Sequence, residues 1–129
     1  MDGKWIDRFH GIIPPQQYSV ALSNGEHGLI ITLTGQEYTI TIDFGNTDAL
    51  QMLDEGTLLQ GTDTLQLQQL RTAGFPDTIY EIEDGALGRY ILSCMGPELF
   101  QHKQYNIITL NYVISVVTQW EPEITVIKV

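Results

Sequence analysis

Residues 37–44 read Glu-Tyr-Thr-Ile-Thr-Ile-Asp-Phe and alternate strictly between polar and apolar side chains. Successive side chains of a β-strand point to opposite faces, so this segment predicts a strand with one dry face and one wet face. Such one-sided strands are typical of antiparallel sheets, whereas the strands of a parallel α/β fold are apolar on both faces. The chain is therefore expected to build a sheet that is buried on one side.

Similar patterns predict further strands, separated by turn residues such as Asn24-Gly25 and Gly35-Gln36. Short turns of this kind force neighbouring strands to run antiparallel. Residues 47–60 and 64–72 fit both helix and strand, although a strand at 49–53 is favoured in the first segment. The predicted strands are 17–23, 28–34, 37–44, 49–53, 78–83, 105–109, 112–118 and 124–129.

Helical periodicity appears mainly after Asp84, which reads as a helix N-cap. Apolar side chains recur at i, i+3, i+4 and i+7 from Leu87 to Cys94, and Gly96-Pro97 would end the helix. Trp5, Ile6 and Phe9 suggest one apolar side of a short helical turn near the start, which Pro14-Pro15 would end. We expect a single α+β domain over residues 1–129, with a mostly antiparallel sheet of about six to eight strands. One or two helices would pack on its apolar face, the segment after Asp84 being the best cover.

Acidic residues outnumber basic ones by sixteen to six, which gives a formal charge of −10. Residues 37–84 alone hold ten acids and one base, Arg71. A direct role on nucleic acid needs a basic stripe, and the sequence has none, so that role and binding to anionic membranes are both disfavoured. The acidity suits either solubility in a bacterial cytosol or attraction to a basic partner.

The single cysteine, Cys94, allows no internal disulfide and indicates a reducing compartment. Its apolar neighbours predict a buried, inert thiol. No apolar run in the sequence is long enough to span a bilayer, and the first residues lack the pattern of a signal peptide. A cytoplasmic protein is expected.

Motifs for catalysis or metal binding are absent from the sequence. His10, His27 and His102 show no ligand spacing, and no nucleophile elbow, phosphate loop or calcium loop occurs. The sequence therefore predicts no enzyme, no cofactor and no metal site.

Two acidic clusters suggest contact with a partner protein. Asp54 and Glu55 follow a predicted strand, and residues 120–123 combine a tryptophan with acids at the end of a sheet. Trp120 has two open interpretations: it plugs the edge of the core, or it anchors an interface. The candidate partner-binding residues are Asp54, Glu55, Glu81, Glu83, Trp120, Glu121 and Glu123.

A family resemblance runs through most of the chain. Its elements are Ile42-Asp43-Phe44-Gly45, Asp54-Glu55, an acidic strand end at 80–84 before a short helix, strands at 105–109 and 113–117, and Glu121-Pro122-Glu123-Ile124. In this order they resemble the small acidic bacterial immunity proteins of polymorphic toxin systems, and related uncharacterised bacterial domains. The resemblance implies a non-enzymatic α+β domain that binds and neutralises a cognate toxin.

Three functions stay open from the sequence. The first is an immunity-type antidote whose acidic loops bind a basic toxin. The second is a small-ligand carrier or small enzyme with a pocket between sheet and helix. The third is a structural homodimer in which strand 112–118 or the last strand pairs across a two-fold axis.

Overall fold

The structure is a computed structural model that describes residues 3–54, 65–95 and 102–129. Within these ranges the chain forms nine strands and two helices. Their bounds are β1 Lys4–Ile6, β2 Ser19–Gly25, β3 Gly28–Thr34, β4 Tyr38–Gly45, β5 Thr47–Asp54, α1 Leu65–Thr72, β6 Ile79–Glu83, α2 Ala86–Met95, β7 Lys103–Ile108, β8 Tyr112–Thr118 and β9 Glu123–Lys128.

The strands form two sheets. The larger has the order β1-β6-β7-β8-β5 and the smaller the order β2-β3-β4-β9, and all neighbouring strands are antiparallel. The predicted antiparallel pairing of strands 17–23, 28–34 and 37–44 through short turns is confirmed by β2, β3 and β4. A turn at Glu26 and His27 joins the first two, and Gly28 follows it with φ +95°. A Cβ on Gly28 would lie 2.2 Å from the carbonyl carbon of Gly45, so only glycine fits there.

The two sheets pack face to face, and this packing makes the main core. The alternation at 37–44 is confirmed, because Ile40, Ile42 and Phe44 are buried while Asp43 is exposed. The core side chains are Leu29, Ile31, Leu33, Ile40, Ile42 and Phe44 of the smaller sheet, Ile79, Tyr105, Ile107, Ile114 and Val116 of the larger, and Phe9, Ile13 and Tyr18 from the segment between β1 and β2.

The expectation that the helix after Asp84 covers the main apolar face is wrong. The second sheet covers that face, and the helices lie on the opposite, outer face of the larger sheet. There a smaller cluster forms from Trp5, Tyr80 and Ile82, with Leu70 and Phe75 packed against it. A hydrogen bond holds the α2 backbone to this face: the N–H of Gly88 donates to Gln104 Oε1 at 2.9 Å.

The ninth strand exceeds the predicted six to eight, and the additional one is β1. The sequence predicts that Trp5 and Ile6 belong to a helical turn. In the structure residues 4–6 instead form a strand that pairs with β6. Trp5 is buried there at 3% exposure, with its ring 5.4 Å from that of Tyr80. Three residues are too few for a periodic pattern to distinguish strand from helix. Residues 47–54 form the favoured strand, and residues 65–72 are helical.

Helix α2 is rotated relative to the prediction. Its half-buried side chains include Leu87, Ile91 and Leu92, whereas Tyr90 and Cys94 are exposed. The expectation of a buried Cys94 is therefore wrong. The helix contacts the sheet through the face that carries Leu87, Ile91 and Leu92, and Cys94 lies outside that face. The predicted helix end at Gly96 and Pro97 lies outside the described residues.

Strand β8 lies inside the larger sheet, with β7 on one side and β5 on the other. It therefore has no open edge with which to pair with a second copy, and this form of the homodimer hypothesis is excluded. Strand β9 is at the edge of the smaller sheet among the described strands. In the described part of the chain, neither helix is long and apolar enough to cross a membrane.

Candidate partner-binding surface

Two carboxylates face each other across strands β4 and β9. Asp43 and Glu123 are directly opposed in the antiparallel register, on the outer face of the smaller sheet, and both are exposed. Side chains in this arrangement are close neighbours, and like charges directly opposite destabilise a sheet. Within the described ranges no ion pair includes either residue. Their charge is therefore available to an external cation.

Trp120 lies beside this pair, in the connection between β8 and β9. Its side chain is 59% exposed, and its backbone N–H donates to Thr118 Oγ1 at 3.3 Å. The ring atom Cδ1 is 4.0 Å from the position that a Cβ on Gly45 would occupy. The N–H of Gly45 in turn donates to Asp43 Oδ1 at 3.0 Å. Of the two interpretations of Trp120, the plug at the core edge is wrong, since the indole is largely in solvent.

We name the exposed residues Asp43, Trp120, Glu121 and Glu123 the Trp120 surface. Of the three carboxylates in this surface, Glu121 is the one whose charge acts on Arg8. The pKa of Arg8 is raised above its ordinary value, chiefly by its hydrogen bond and ion pair with Glu81, and Glu121 adds a smaller contribution of the same sign. The Trp120 surface thus combines one exposed aromatic side chain with three exposed carboxylates.

Glu81 is buried, unlike the other predicted partner-binding acids that the structure describes. It is 7% exposed and points to the inner face of the larger sheet. Arg8 Nη2 donates to its Oε2 at 2.7 Å, and Lys103 Nζ is 3.8 Å from its Oε1. The neighbouring Tyr105 hydroxyl is buried, and burial raises its pKa, with the Glu81 charge adding to the shift. Glu81 therefore ties the N-terminal segment, through Arg8, to the larger sheet.

The remaining predicted residues are not brought together. Glu83 is exposed and opposes Lys4 in the register of β1 and β6. Asp54 is exposed at the end of β5, opposite Tyr112. Thr47, at the other end of β5, opposes Thr118 near Trp120, so Asp54 is about 23 Å away along the strand. Glu55 lies outside the described residues.

A pocket of about 300 Å³ separates α2 from the outer face of the larger sheet. This is near the lower limit of volume for small-molecule sites. One wall holds His102, whose Nδ1 is 3.2 Å from Asp48 Oδ2, and both side chains are largely buried. The pocket is lined by Ile82, Asp84, Gly85, Gly88, Arg89, Leu92, His102 and Gln104.

Sequence reasoning identified Trp120, Glu121 and Glu123 but missed Asp43. The alternation at 37–44 already placed Asp43 on the wet face of its strand. What it could not supply was the neighbouring strand, because β9 is about eighty residues away in sequence and its register depends on the assembled sheet.

Comparison with protein-family models, with curated proteins and with solved structures finds no match for this chain. Its function is therefore inferred from its own geometry.

Proposed function

We propose that this protein is a non-enzymatic binding protein of the immunity type, which neutralises a basic protein toxin through the Trp120 surface. The observation that carries the proposal is the exposed indole of Trp120 beside the opposed carboxylates of Asp43 and Glu123. A soluble domain gains no stability from either feature, since an exposed tryptophan buries little area and the opposed charges repel.

Both features favour association with a cationic surface. Tryptophan is enriched among the residues that dominate binding energy, because its large ring is desolvated when a partner covers it. The surrounding carboxylates and the net charge of −10 would attract a basic protein and raise the association rate. Salt would slow this association, since it screens the charges.

The test begins with capture from cells of the source organism on tagged protein, at low and high salt. Wild type is compared with Trp120→Ala and with Tyr90→Ala, a control that removes another exposed aromatic residue. We expect a basic protein that is retained by wild type and the control, is released by salt, and is lost with Trp120→Ala.

The captured protein is then expressed in a bacterial host with and without this chain. We expect it to inhibit growth alone and to become harmless when wild type is present, but not when Trp120→Ala is present. A captured protein with no toxicity would refute the antidote function, and equal capture by Trp120→Ala would refute the site.

The pocket beneath α2 supports a second candidate function, binding of a small ligand. The supporting observation is the combination of a buried amide, Gln104, a largely buried His102 and the apolar side chains of Ile82 and Leu92 around one cavity. A fragment screen by NMR tests it. Ligands that shift the amide signals of Gly88 and Gln104 should lose affinity in Leu92→Trp, which fills the cavity, and equal affinity would refute this site.

A further inference from the structure

Two residues of one turn near the start of the chain and one residue before β6 place metal-binding atoms together. One ligand atom each of Asp7, His10 and Asp77 lies within 4.8 Å of the others. The N–H of His10 donates to the carbonyl oxygen of Asp7 at 3.0 Å, and this tight turn brings both side chains to the same side. Asp77 approaches from the segment before β6, 67 positions away from His10.

Asp77 is a buried carboxylate that faces His10. Its side chain is 8% exposed, and both of its carboxylate oxygens are 2.9 Å from the same atom, His10 Nδ1. A carboxylate offers about four lone-pair positions, and one N–H cannot satisfy both oxygens well. Among the described residues no other donor contacts this carboxylate. It is therefore a buried anionic group whose side-chain partner is the exposed His10.

The backbone holds Asp77 in this position. Its N–H donates to the hydroxyl oxygen of Tyr80 at 3.0 Å, and Tyr80 is itself buried against Trp5. The orientation of the carboxylate is thus fixed by the core, while Asp7 and His10 remain at the surface. A rigid anchor with two adjustable neighbours is a suitable starting point for a metal site.

We propose that Asp7, His10 and Asp77 bind one first-row divalent transition-metal ion, for which Zn²⁺ is the natural probe. Imidazole nitrogen and carboxylate oxygen form the usual ligand set for such ions, whereas Mg²⁺ and Ca²⁺ prefer oxygen alone. Bonds of about 2.1 Å place neighbouring ligands of a tetrahedral zinc ion about 3.4 Å apart. His10 Nδ1 and Asp77 Oδ1 are 2.9 Å apart, so they would separate by about 0.5 Å to admit the ion.

Binding requires only small movements. The ion would replace the proton that His10 Nδ1 shares with Asp77, and the exposed side chain of Asp7 would close toward it. His10 is 68% exposed, so water can complete the coordination. The ion would connect the N-terminal turn to the larger sheet, and its binding would stabilise the folded protein in proportion to its concentration.

Zinc titration of the chelator-treated full chain, followed by calorimetry and by thermal unfolding, tests this proposal. His10→Gln and Asp7→Asn remove exposed ligands, so both variants should fold normally. His27→Gln is the matched control, because His27 is an exposed histidine on the turn between β2 and β3. Co²⁺ serves as a second probe, since its visible absorption reports ligands supplied by the protein.

We expect one zinc ion per chain, a higher melting temperature with zinc, and at least a tenfold loss of affinity in His10→Gln and Asp7→Asn. His27→Gln should bind as wild type does, and excess Mg²⁺ should not displace the zinc. The proposal is overturned if wild type binds no zinc below millimolar concentration. It is also overturned if His10→Gln binds equally well, or if Mg²⁺ competes at equal concentration.

Discussion

Asp43 and Glu123 oppose each other across β4 and β9 on the outer face of the smaller sheet, and no ion pair among the described residues includes either one. A sheet selected for stability alone would place a lysine or threonine at one of these positions. Threonines do occupy the adjacent row, where Thr41 opposes Thr125. The carboxylate pair lies next to exposed Trp120, and we interpret the repulsion as a cost that binding to a cationic partner would offset.

Glu123→Lys should therefore stabilise the isolated protein while it weakens binding. Replacing the repulsive pair with an attractive one should raise the free energy of unfolding by about 0.2–1 kcal/mol. The same change should slow association with the captured partner and reduce its salt dependence. Urea unfolding and stopped-flow association measure the two effects. Glu26→Lys, on the turn between β2 and β3, makes the same charge change elsewhere, and an equal slowing there would show that net charge alone is responsible.

The two tryptophans should respond oppositely to substitution by alanine. Trp5→Ala removes a buried ring that packs on Tyr80 and Phe75, so the free energy of unfolding should fall by about 3–5 kcal/mol. Trp120→Ala should change it by at most about 0.5 kcal/mol, because the side chain is largely in solvent. Urea unfolding of both variants checks this contrast. A loss above about 2 kcal/mol for Trp120→Ala would mean that the indole is structural and would remove the basis for the Trp120 surface.

The strands could be predicted from the sequence because alternation is a local signal. β3 and β8 match their predicted bounds, and the other predicted strands differ by at most two residues at either end. The division into two sheets could not be predicted. The apolar face of a strand has the same sequence pattern whether a helix or another sheet covers it. Strand β1 was missed because a pairing of three residues depends on β6, far away in sequence.

The candidate sites could be predicted only where their residues are adjacent in sequence. Trp120, Glu121 and Glu123 are adjacent in sequence and could be proposed together, but Asp43 joins them only through the register of β9. His10 and Asp77 lie 67 positions apart with no motif spacing, so the prediction of no metal site followed from the sequence alone. The burial of Glu81 could not be foreseen either, because it depends on Arg8 and Lys103 reaching the same strand.

The ion pair of Glu81 with Arg8 should show strong coupling between its two members. Arg8→Met leaves a buried carboxylate with only Lys103 nearby, so it should destabilise the fold more than Glu81→Gln, which removes the charge. We expect a loss of about 1.5–3 kcal/mol for Glu81→Gln, the range for hydrogen bonds to charged groups. The double variant should recover part of the Arg8→Met loss in urea unfolding. Strict additivity of the two losses would contradict a direct interaction.

Metal-free protein should lose stability as the pH rises from 6.5 through the folded-state pKa of His10. The hydrogen bond and charge of Asp77, with a smaller contribution from Asp7, raise the pKa of His10 above 6.5. A raised folded-state pKa means that the stabilisation is fully present below pH 6.5 and disappears as the pH rises through the folded-state value. Histidine NMR titration with chelator present should give a raised pKa in wild type and a value nearer 6.5 in Asp77→Asn. Urea unfolding should show the pH-dependent loss in wild type and not in His10→Gln, and identical slopes in the two proteins would contradict the pairing.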